Sequence, residues 1–329
     1  MGDKYSIFLS DGKCFEVFSG ETILEASIRN GIHLEYSCKD GRCGVCKAKL
    51  DGGETYEIIK SNFLTDEDKI KNNILTCCSG LKSDIKIDAE DLFYLSDITT
   101  KILPCRIDSI SRLSNDVISL ILRLPPNSNF NYLAGQYISL IGPSGEKRSY
   151  SVASYKMRKR DRIELIIKLY SKGLFSDYFV NDLKVNDLMR FEGPLGTFFL
   201  RDLDVDRIIF IATGTGIAPI KAMLEDIDEN GKLKKYKEVL VYYGVRHQKD
   251  VFFDYKKFTP DCIDFRFVYS SKNDGIKYVQ DAVVADFSSL ENTCVYACGS
   301  DVMIKSAFDK FSDYNLDQKL FFSDIFLKS

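Results

Sequence analysis

The chain has 329 residues, with 45 Lys and Arg against 48 Asp and Glu and a net charge of −3, and a pI near 5.7. That length holds two or three domains with separate cores. The charge balance leaves no electrostatic footprint for nucleic acid, and no run nears the roughly 18 apolar residues of a membrane span, so both are excluded as partners.

Tyr5-Ser-Ile-Phe-Leu and Lys13-Cys-Phe-Glu-Val-Phe read as two strands about the turn Ser10-Asp-Gly-Lys. Thr22, with Glu25 three positions on, has the capping-box arrangement for a short helix to about Asn30, ended by Gly31. Its apolar face is modest: Ile23, Leu24 and Ile28. Ile32-His-Leu-Glu-Tyr then enters Cys38-Lys-Asp-Gly-Arg-Cys43-Gly-Val-Cys46, and a fourth cysteine, Cys77, follows in Ile74-Leu-Thr-Cys77-Cys78-Ser. The C-x4-C-x2-C…C spacing is the plant-type [2Fe–2S] pattern. Gly41 and Gly44 allow the sharp turns that aim thiolates inward and turn backbone N–H groups toward sulfur. Structural zinc is the competing reading, although zinc knuckles come as two C-x2-C pairs and one is present; a disulfide framework is a weaker alternative.

Ala48-Lys-Leu reads as a strand, Glu67 to Ile70 as a short helix, and Asp84-Ile-Lys-Ile-Asp as an edge strand, giving a small mixed fold. The adjacent pair Cys77-Cys78 leaves the fourth ligand open between the two, and in an extended segment Cys78 points away from Cys77. Ten cysteines, four of them claimed by the cluster, suit a reducing compartment. The opening Met-Gly-Asp-Lys-Tyr-Ser lacks an apolar h-region, so the expectation is a cytoplasmic protein.

After an aperiodic stretch from Glu90 to Leu103, short strands recur at Cys105, Val117, Tyr137, Arg148, Ile163 and Asp187, separated by Pro, Gly and Asn turns. That is the pattern of an antiparallel barrel, with one short helix at Leu174 to Phe179. Met157-Arg-Lys-Arg-Asp-Arg162 reads as a solvated hairpin turn. From Arg207 near-continuous apolar strands at Ile208, Val239, Phe265 and Thr293 alternate with helices near Ile220–Asp228 and Val279–Ala285, which predicts a parallel sheet covered on both faces. The expected domains are 1–93 (cluster module), a linker over 94–103, 104–203 (six-stranded antiparallel β-barrel) and 204–329 (nucleotide-type parallel sheet).

Gly214-Thr215-Gly216 joins a buried strand to a helix, the setting in which backbone amides meet a pyrophosphate. Arg148-Ser-Tyr150-Ser151 offers a phosphate-binding fork and a ring that can cover a flat cofactor. Gly173-Leu-Phe-Ser176 opens a helix whose amides suit a second phosphate. Cys298-Gly299-Ser ends a presumed parallel strand, where such sheets bind ligands; a buried small hydrophobe is the plainer reading of Cys298. Phe321-Phe-Ser-Asp-Ile-Phe326 reads as core or as a lid over an aromatic cofactor. His33 and His247 lack partners for acid–base work. A one-electron cluster beside a dinucleotide domain implies a flavin between them to split the hydride pair.

These residues resemble the ferredoxin–NAD(P) reductase superfamily with a plant-type ferredoxin domain fused in front, across essentially the whole chain. Arg148-x-Tyr150-Ser151 matches its flavin motif, Gly173-x-x-Ser176 its flavin-pyrophosphate motif, Thr213-Gly-Thr-Gly-Ile-Ala-Pro219 its dinucleotide turn and Cys298-Gly-Ser the segment beside the nicotinamide. Within it, Ile74-Leu-Thr-Cys-Cys-Ser, Tyr132-Leu-Ala-Gly-Gln-Tyr, Gly193-Pro-Leu-Gly-Thr-Phe-Phe and Phe321-Phe-Ser-Asp-Ile-Phe resemble the CDP-6-deoxy-Δ3,4-glucoseen reductase family. That resemblance implies electron flow from NADH through FAD and a [2Fe–2S] cluster on Cys38, Cys43, Cys46 and Cys77 to a partner dehydratase carrying pyridoxamine phosphate (PMP) and its own iron–sulfur centre. The pair removes the C3 hydroxyl of a CDP-linked 4-keto-6-deoxyhexose, on the way to 3,6-dideoxyhexoses. The resemblance also implies a β-grasp ferredoxin domain, an FAD-binding domain and a Rossmann-like nicotinamide-dinucleotide domain in that order, and it places Tyr150, Ser151, Cys298 and Phe326 around the hydride transfer. Lys272 is a cation that could meet the 2′-phosphate of NADPH, whereas Asp250 resembles the NADH-using branch, and NADH is expected. Rival readings are the reductase component of an aromatic-ring or diiron oxygenase and, in another class, a non-enzymatic redox carrier or sensor.

Overall fold

Alternation of apolar and polar residues sets the first hairpin: β1 (Lys4–Leu9) and β2 (Cys14–Phe18) pair antiparallel and bury Ile7, Leu9, Phe15 and Val17 on one face. These come from a computed structural model that describes residues 4–155, 161–171, 173–258, 263–271 and 275–326. Contacts divide the chain into two units, Met1–Thr99 and Thr100–Lys328.

In the first unit α1 (Ile23–Arg29) starts at Thr22, whose hydroxyl accepts from the Glu25 amide while Glu25 accepts from the Thr22 N–H. Its buried stripe is Ile23, Leu24, Ala26 and Ser27; Ile28, expected on the apolar face, falls past the edge of that stripe and is 44% exposed. β3 (Lys47–Gly52), β4 (Thr55–Glu57), α2 (Asp66–Ile70), β5 (Asn73–Leu75), β6 (Ser79–Leu81) and β7 (Ile85–Asp88) follow. The main sheet has the order β2-β1-β7-β3-β5, and β4 pairs with β6. β7 is therefore not the edge strand expected but the centre, parallel to β1 and antiparallel to β3. Its alternation reports one covered face and one wet face, not a missing neighbour. Residues 90–98 lack periodicity yet are held: the Leu92 N–H donates to His33 O at 2.9 Å, the His33 N–H donates to Asp91 Oδ1 at 2.8 Å, and Leu95 is buried.

The second unit begins with β8 (Lys101–Ser114), whose first residues lie within the stretch read as linker. β9 (Val117–Arg123), β10 (Tyr137–Ile141), β11 (Lys147–Ser151), β12 (Arg162–Lys168), α3 (Leu174–Asn181) and β13 (Leu188–Leu195) complete an antiparallel six-stranded sheet, ordered β11-β10-β13-β8-β9-β12, over a core of Leu120, Leu122, Ile138, Leu165 and Phe191. The remaining elements are β14 (Arg207–Thr213), α4 (Ile217–Glu229), β15 (Glu238–Val245), β16 (Asp264–Tyr269), α5 (Val279–Asp286), β17 (Thr293–Gly299), α6 (Asp301–Ser312) and β18 (Phe321–Ile325). Their sheet is wholly parallel, ordered β16-β15-β14-β17-β18. α4 starts before Ile220 because Pro219 sits in its first turn, where no intrahelical N–H is needed. The aromatic segment Phe321–Ile325 is a fifth parallel strand. Most of the turn expected at 157–162 lies outside the described residues, as does Lys272. Among the described residues no helix is long and apolar enough to cross a membrane.

Candidate functional site

The cysteine loop occupies residues 38–46, between α1 and β3. Cys43, Cys46 and Cys77 are buried and Cys38 is half-buried. Their thiols come as two pairs. Cys46 and Cys77 sulfurs are 3.1 Å apart, and Cys43 shares a hydrogen bond with Cys38. Hydrogen bonds from Cys43 and from Cys46 hold Cys38 and Cys77 below the usual thiol range, while the donors Cys43 and Cys46 are pushed up. Among the described residues no three His, Cys, Asp or Glu side chains gather for a single ion. Two pairs suit the two irons of a [2Fe–2S] centre better than one tetrahedral zinc.

Backbone amides surround these sulfurs. Asp40 and Arg42 N–H groups donate to Cys38, Val45 to Cys43 and Gly41 to Cys77, and the Cys38 N–H lies 3.4 Å from the Cys43 sulfur. Such donors favour anionic sulfur. The turns that aim them need Gly41 at φ +76° and Gly44 at φ +73°; a Cβ on Gly44 would lie 2.0 Å from the Phe63 ring. Cys77 and Cys78 sit on a turn rather than an extended segment, so they do not face opposite ways; their sulfurs are 3.6 Å apart.

In the second unit the flavin-motif residues lie on β11. Tyr150 packs against Phe175 and Phe179 at ring-centroid distances of 6.4 and 6.1 Å, and burial pushes its phenol up. Two residues back on the same face, the Arg148 guanidinium stands 5.9 Å from the Phe175 ring. Gly173 caps α3 without a side-chain bond, leaving first-turn amides open, whereas the Ser176 hydroxyl accepts from the Tyr170 N–H at 2.8 Å. Ser151 is buried, and its hydroxyl donates to Asp324 Oδ2 at 3.3 Å. Asp324, on β18, pairs in register with Cys298 on β17. Cys298 is fully buried in the core, and burial, then the Asp324 charge, pushes its thiol well up. Phe326 is half-buried, with its N–H donating to Gly299 O at 2.8 Å. Sequence reasoning missed Asp324: a single acid among phenylalanines carries no local signal, and its partner Ser151 is 173 positions away.

Gly214, Thr215 and Gly216 form a 3-10 turn between β14 and α4. A Cβ on Gly216 would come 2.2 Å from the Cys298 carbonyl oxygen, while one on Gly214 meets nothing within 4 Å. Gly216 thus lets the turn lie against the end of β17, and Gly214 leaves the outer face open. That face looks into a cleft of about 980 Å³ lined by Thr213, Gly214, Arg246, His247, Ser270 and Lys277, at the C-terminal ends of the parallel strands. Asp250 also lines it, but its carboxylate accepts from the His247 N–H at 2.8 Å and so caps its own turn. His247 Nδ1 is 2.9 Å from the Ser271 hydroxyl.

Lys221 on α4 was not singled out by sequence. Its ammonium donates to Ala153 O at 2.8 Å, Glu164 Oε2 at 3.1 Å and Glu225 Oε1 at 2.6 Å, so it ties the antiparallel sheet to the parallel one. Burial alone would push Lys221 down, but the two carboxylates outweigh it and hold it up. Lys221→Met leaves both carboxylates uncompensated. The group is not sealed from water, so the expected loss is about 2 kcal/mol rather than the 3–5 of a fully buried pair, read as a lower urea midpoint.

Three domain families match the chain in order: the 2Fe-2S iron-sulfur cluster binding domain at residues 8–82, the oxidoreductase FAD-binding domain at 104–200 and the oxidoreductase NAD-binding domain at 210–309. The CDP-6-deoxy-L-threo-D-glycero-4-hexulose-3-dehydrase reductase of Yersinia pestis is 41% identical over 98% of this chain and 96% of its own. The terephthalate 1,2-dioxygenase reductase component 1 of Comamonas sp. is 30% identical over 96% and 95%. An Amycolatopsis cytochrome P450 reductase shares the fold, with a TM-score of 0.73 at 24% identity over 98% of both chains. The order of domains and the full-length identity agree with the thiol pairs and the cleft: the chain belongs to the CDP-6-deoxyhexulose dehydrase reductase family, NAD(P)H-dependent flavin and iron–sulfur oxidoreductases of the ferredoxin reductase superfamily.

Proposed function

We propose that this reductase delivers electrons to a PMP- and iron–sulfur-dependent dehydratase acting at C3 of a CDP-4-keto-6-deoxyhexose. The observation that carries electron delivery to a protein is the pair of thiol pairs, set among amide donors in the same chain as a dinucleotide cleft. The dehydratase as acceptor rests on the 41% relative. When bound, FAD takes a hydride from NADH and the cluster passes electrons on singly, which is the chemistry side chains cannot supply.

The chain's own work is holding and excluding. Cys38, Cys43, Cys46 and Cys77 ligate the irons. Tyr150 covers the flavin ring, Arg148 offsets phosphate charge, and the open amides after Gly173 meet the pyrophosphate; Ser176 braces that turn. Ser151 and Asp324, hydrogen-bonded to each other and backed by Cys298, would flank the flavin and the nicotinamide. Gly214, Thr215 and Gly216 accept the nicotinamide dinucleotide's pyrophosphate, with Gly299 and Phe326 closing the end of β17. No side chain is needed as a proton-abstracting base. NADH is the favoured donor, and Arg246 and Lys277 in the cleft make the NADPH comparison worth running.

The six-stranded sheet is inferred to close as a barrel, supported by the bridge from Val152, the residue after β11, to Leu165 on β12. The domain bounds are proposed as 1–93, 104–203 and 204–329 with a linker over 94–103, except that β8 carries the second domain back to Lys101.

The test is anaerobic stopped-flow reduction by NADH and by NADPH, followed by addition of the dehydratase and its CDP-keto-sugar. Bleaching of flavin and cluster, then reoxidation coupled to loss of the C3 hydroxyl, is expected. Bleaching without transfer would move the acceptor to an oxygenase component, as in the 30% relative. Absence of bleaching with both nucleotides would overturn the proposal.

A further inference from the structure

The geometry points to Cys78 as a reserve ligand of the iron–sulfur centre, able to take the place of Cys77; this rests on the ligand set proposed above. Cys78 is 2% exposed, and its backbone is fixed on both sides. Its N–H donates to Leu75 O at 2.9 Å, and its carbonyl accepts from the Ile58 and Ile59 amides at 2.8 and 3.2 Å. The turn at 76–78 brings the Cys78 sulfur to 3.6 Å from that of Cys77. Two thiolates on one tetrahedral metal, each at ~2.3 Å, lie about 3.8 Å apart. The neighbouring sulfur thus stands at ligand-to-ligand spacing.

The loop is shaped around this second thiol. A Cβ on Gly41, between Cys38 and Cys43, would lie 2.6 Å from the Cys78 sulfur, so a larger residue there would push the thiol away. Cys77 keeps priority because it receives the Gly41 amide and pairs with Cys46. Ordinary core packing asks only for a small apolar side chain at position 78; it does not require a sulfur beside that of Cys77. In the exchange Cys78 gives up its proton and binds iron as a thiolate, while the Cys77 thiolate released from iron takes up a proton from water. The iron oxidation states do not change.

Iron and acid-labile sulfide content, with visible circular dichroism, test this in the full-length protein. Flavin content checks that the second unit has folded. Cys77→Ala is expected to keep its cluster with an altered dichroism spectrum, and the Cys77→Ala/Cys78→Ala double variant to hold at least about tenfold less iron. Cys46→Ala, which has no adjacent cysteine, is expected to lose the cluster; if it does not, the underlying ligand set is wrong. Iron loss in Cys77→Ala as complete as in Cys46→Ala, with flavin retained, would overturn the reserve role. Should Cys77→Ala fail to fold, the nearly isosteric Cys77→Ser is compared with Cys77→Ser/Cys78→Ala, and identical spectra and iron content in the two would overturn it equally.

Discussion

Cys43→Ser is expected to leave NADH-driven ferricyanide reduction within about twofold of the parent while lowering reduction of a one-electron protein acceptor by at least about a thousandfold, close to 4 kcal/mol in transition-state terms. Cys43 is buried, is hydrogen-bonded to Cys38 and takes the Val45 amide, so an oxygen there breaks one of the two thiol pairs proposed to hold the irons. The residues proposed to hold the flavin and the dinucleotide, Arg148, Tyr150, Ser151 and Gly214, belong to the second compact unit of the chain. A small acceptor that needs no cluster should therefore see little change. Parallel assays with ferricyanide and the protein acceptor, on FAD-loaded variant, check this. Equal loss in both would remove the cluster from its place after the flavin.

Gly216→Ala should be the most damaging single methyl in the dinucleotide turn. The added carbon would lie 2.2 Å from the Cys298 carbonyl oxygen, 2.7 Å from its carbon and 3.1 Å from Gly299 Cα. All three are backbone atoms of β17 in the parallel sheet, so no side chain can rotate away. Relief requires lifting the turn off β17, the register in which Cys298 faces Asp324. An overpacking cost near the upper end of 1–3 kcal/mol and a fall of about a hundredfold in kcat/KM for NADH are expected. Gly214→Ala is the comparison: space is open there, and only the φ of +54° opposes a side chain, costing about 1–2 kcal/mol. The cluster's visible absorption should be unaltered in both. If Gly216→Ala binds and oxidises NADH like the parent, the turn does not set the nicotinamide site.

Local signals in the sequence reached the elements with strong periodicity or caps. Thr22 and Glu25 located α1, and the apolar runs at Ile208, Val239, Phe265 and Thr293 located four of the five parallel strands. Where the deciding interaction is distant, local reading failed. β7 alternates like an edge strand because one face is wet, although both its edges are paired. β18 has no alternation and is defined only by pairing with β17. Cys78 was placed opposite Cys77 by assuming extended backbone, and the turn at 76–78 brings them together. The cluster loop was legible because its spacing is contiguous. Asp324 and Lys221 were not, since each is given meaning by residues far along the chain.

The central position of β7 also sets a timetable. β1 and β7 enclose every cysteine from Cys38 to Cys77 in sequence, and their parallel pairing is what closes the first sheet. A ribosome adding about 5–20 residues per second needs roughly 3–10 s to travel from Cys38 to Asp88. Through that interval the nascent thiols have no sheet to gather them and stand open to oxidants and to competing metals. A cluster on these four cysteines would therefore need the closed sheet rather than the emerging loop, and a pause in translation just before residue 85 would lengthen the exposed interval.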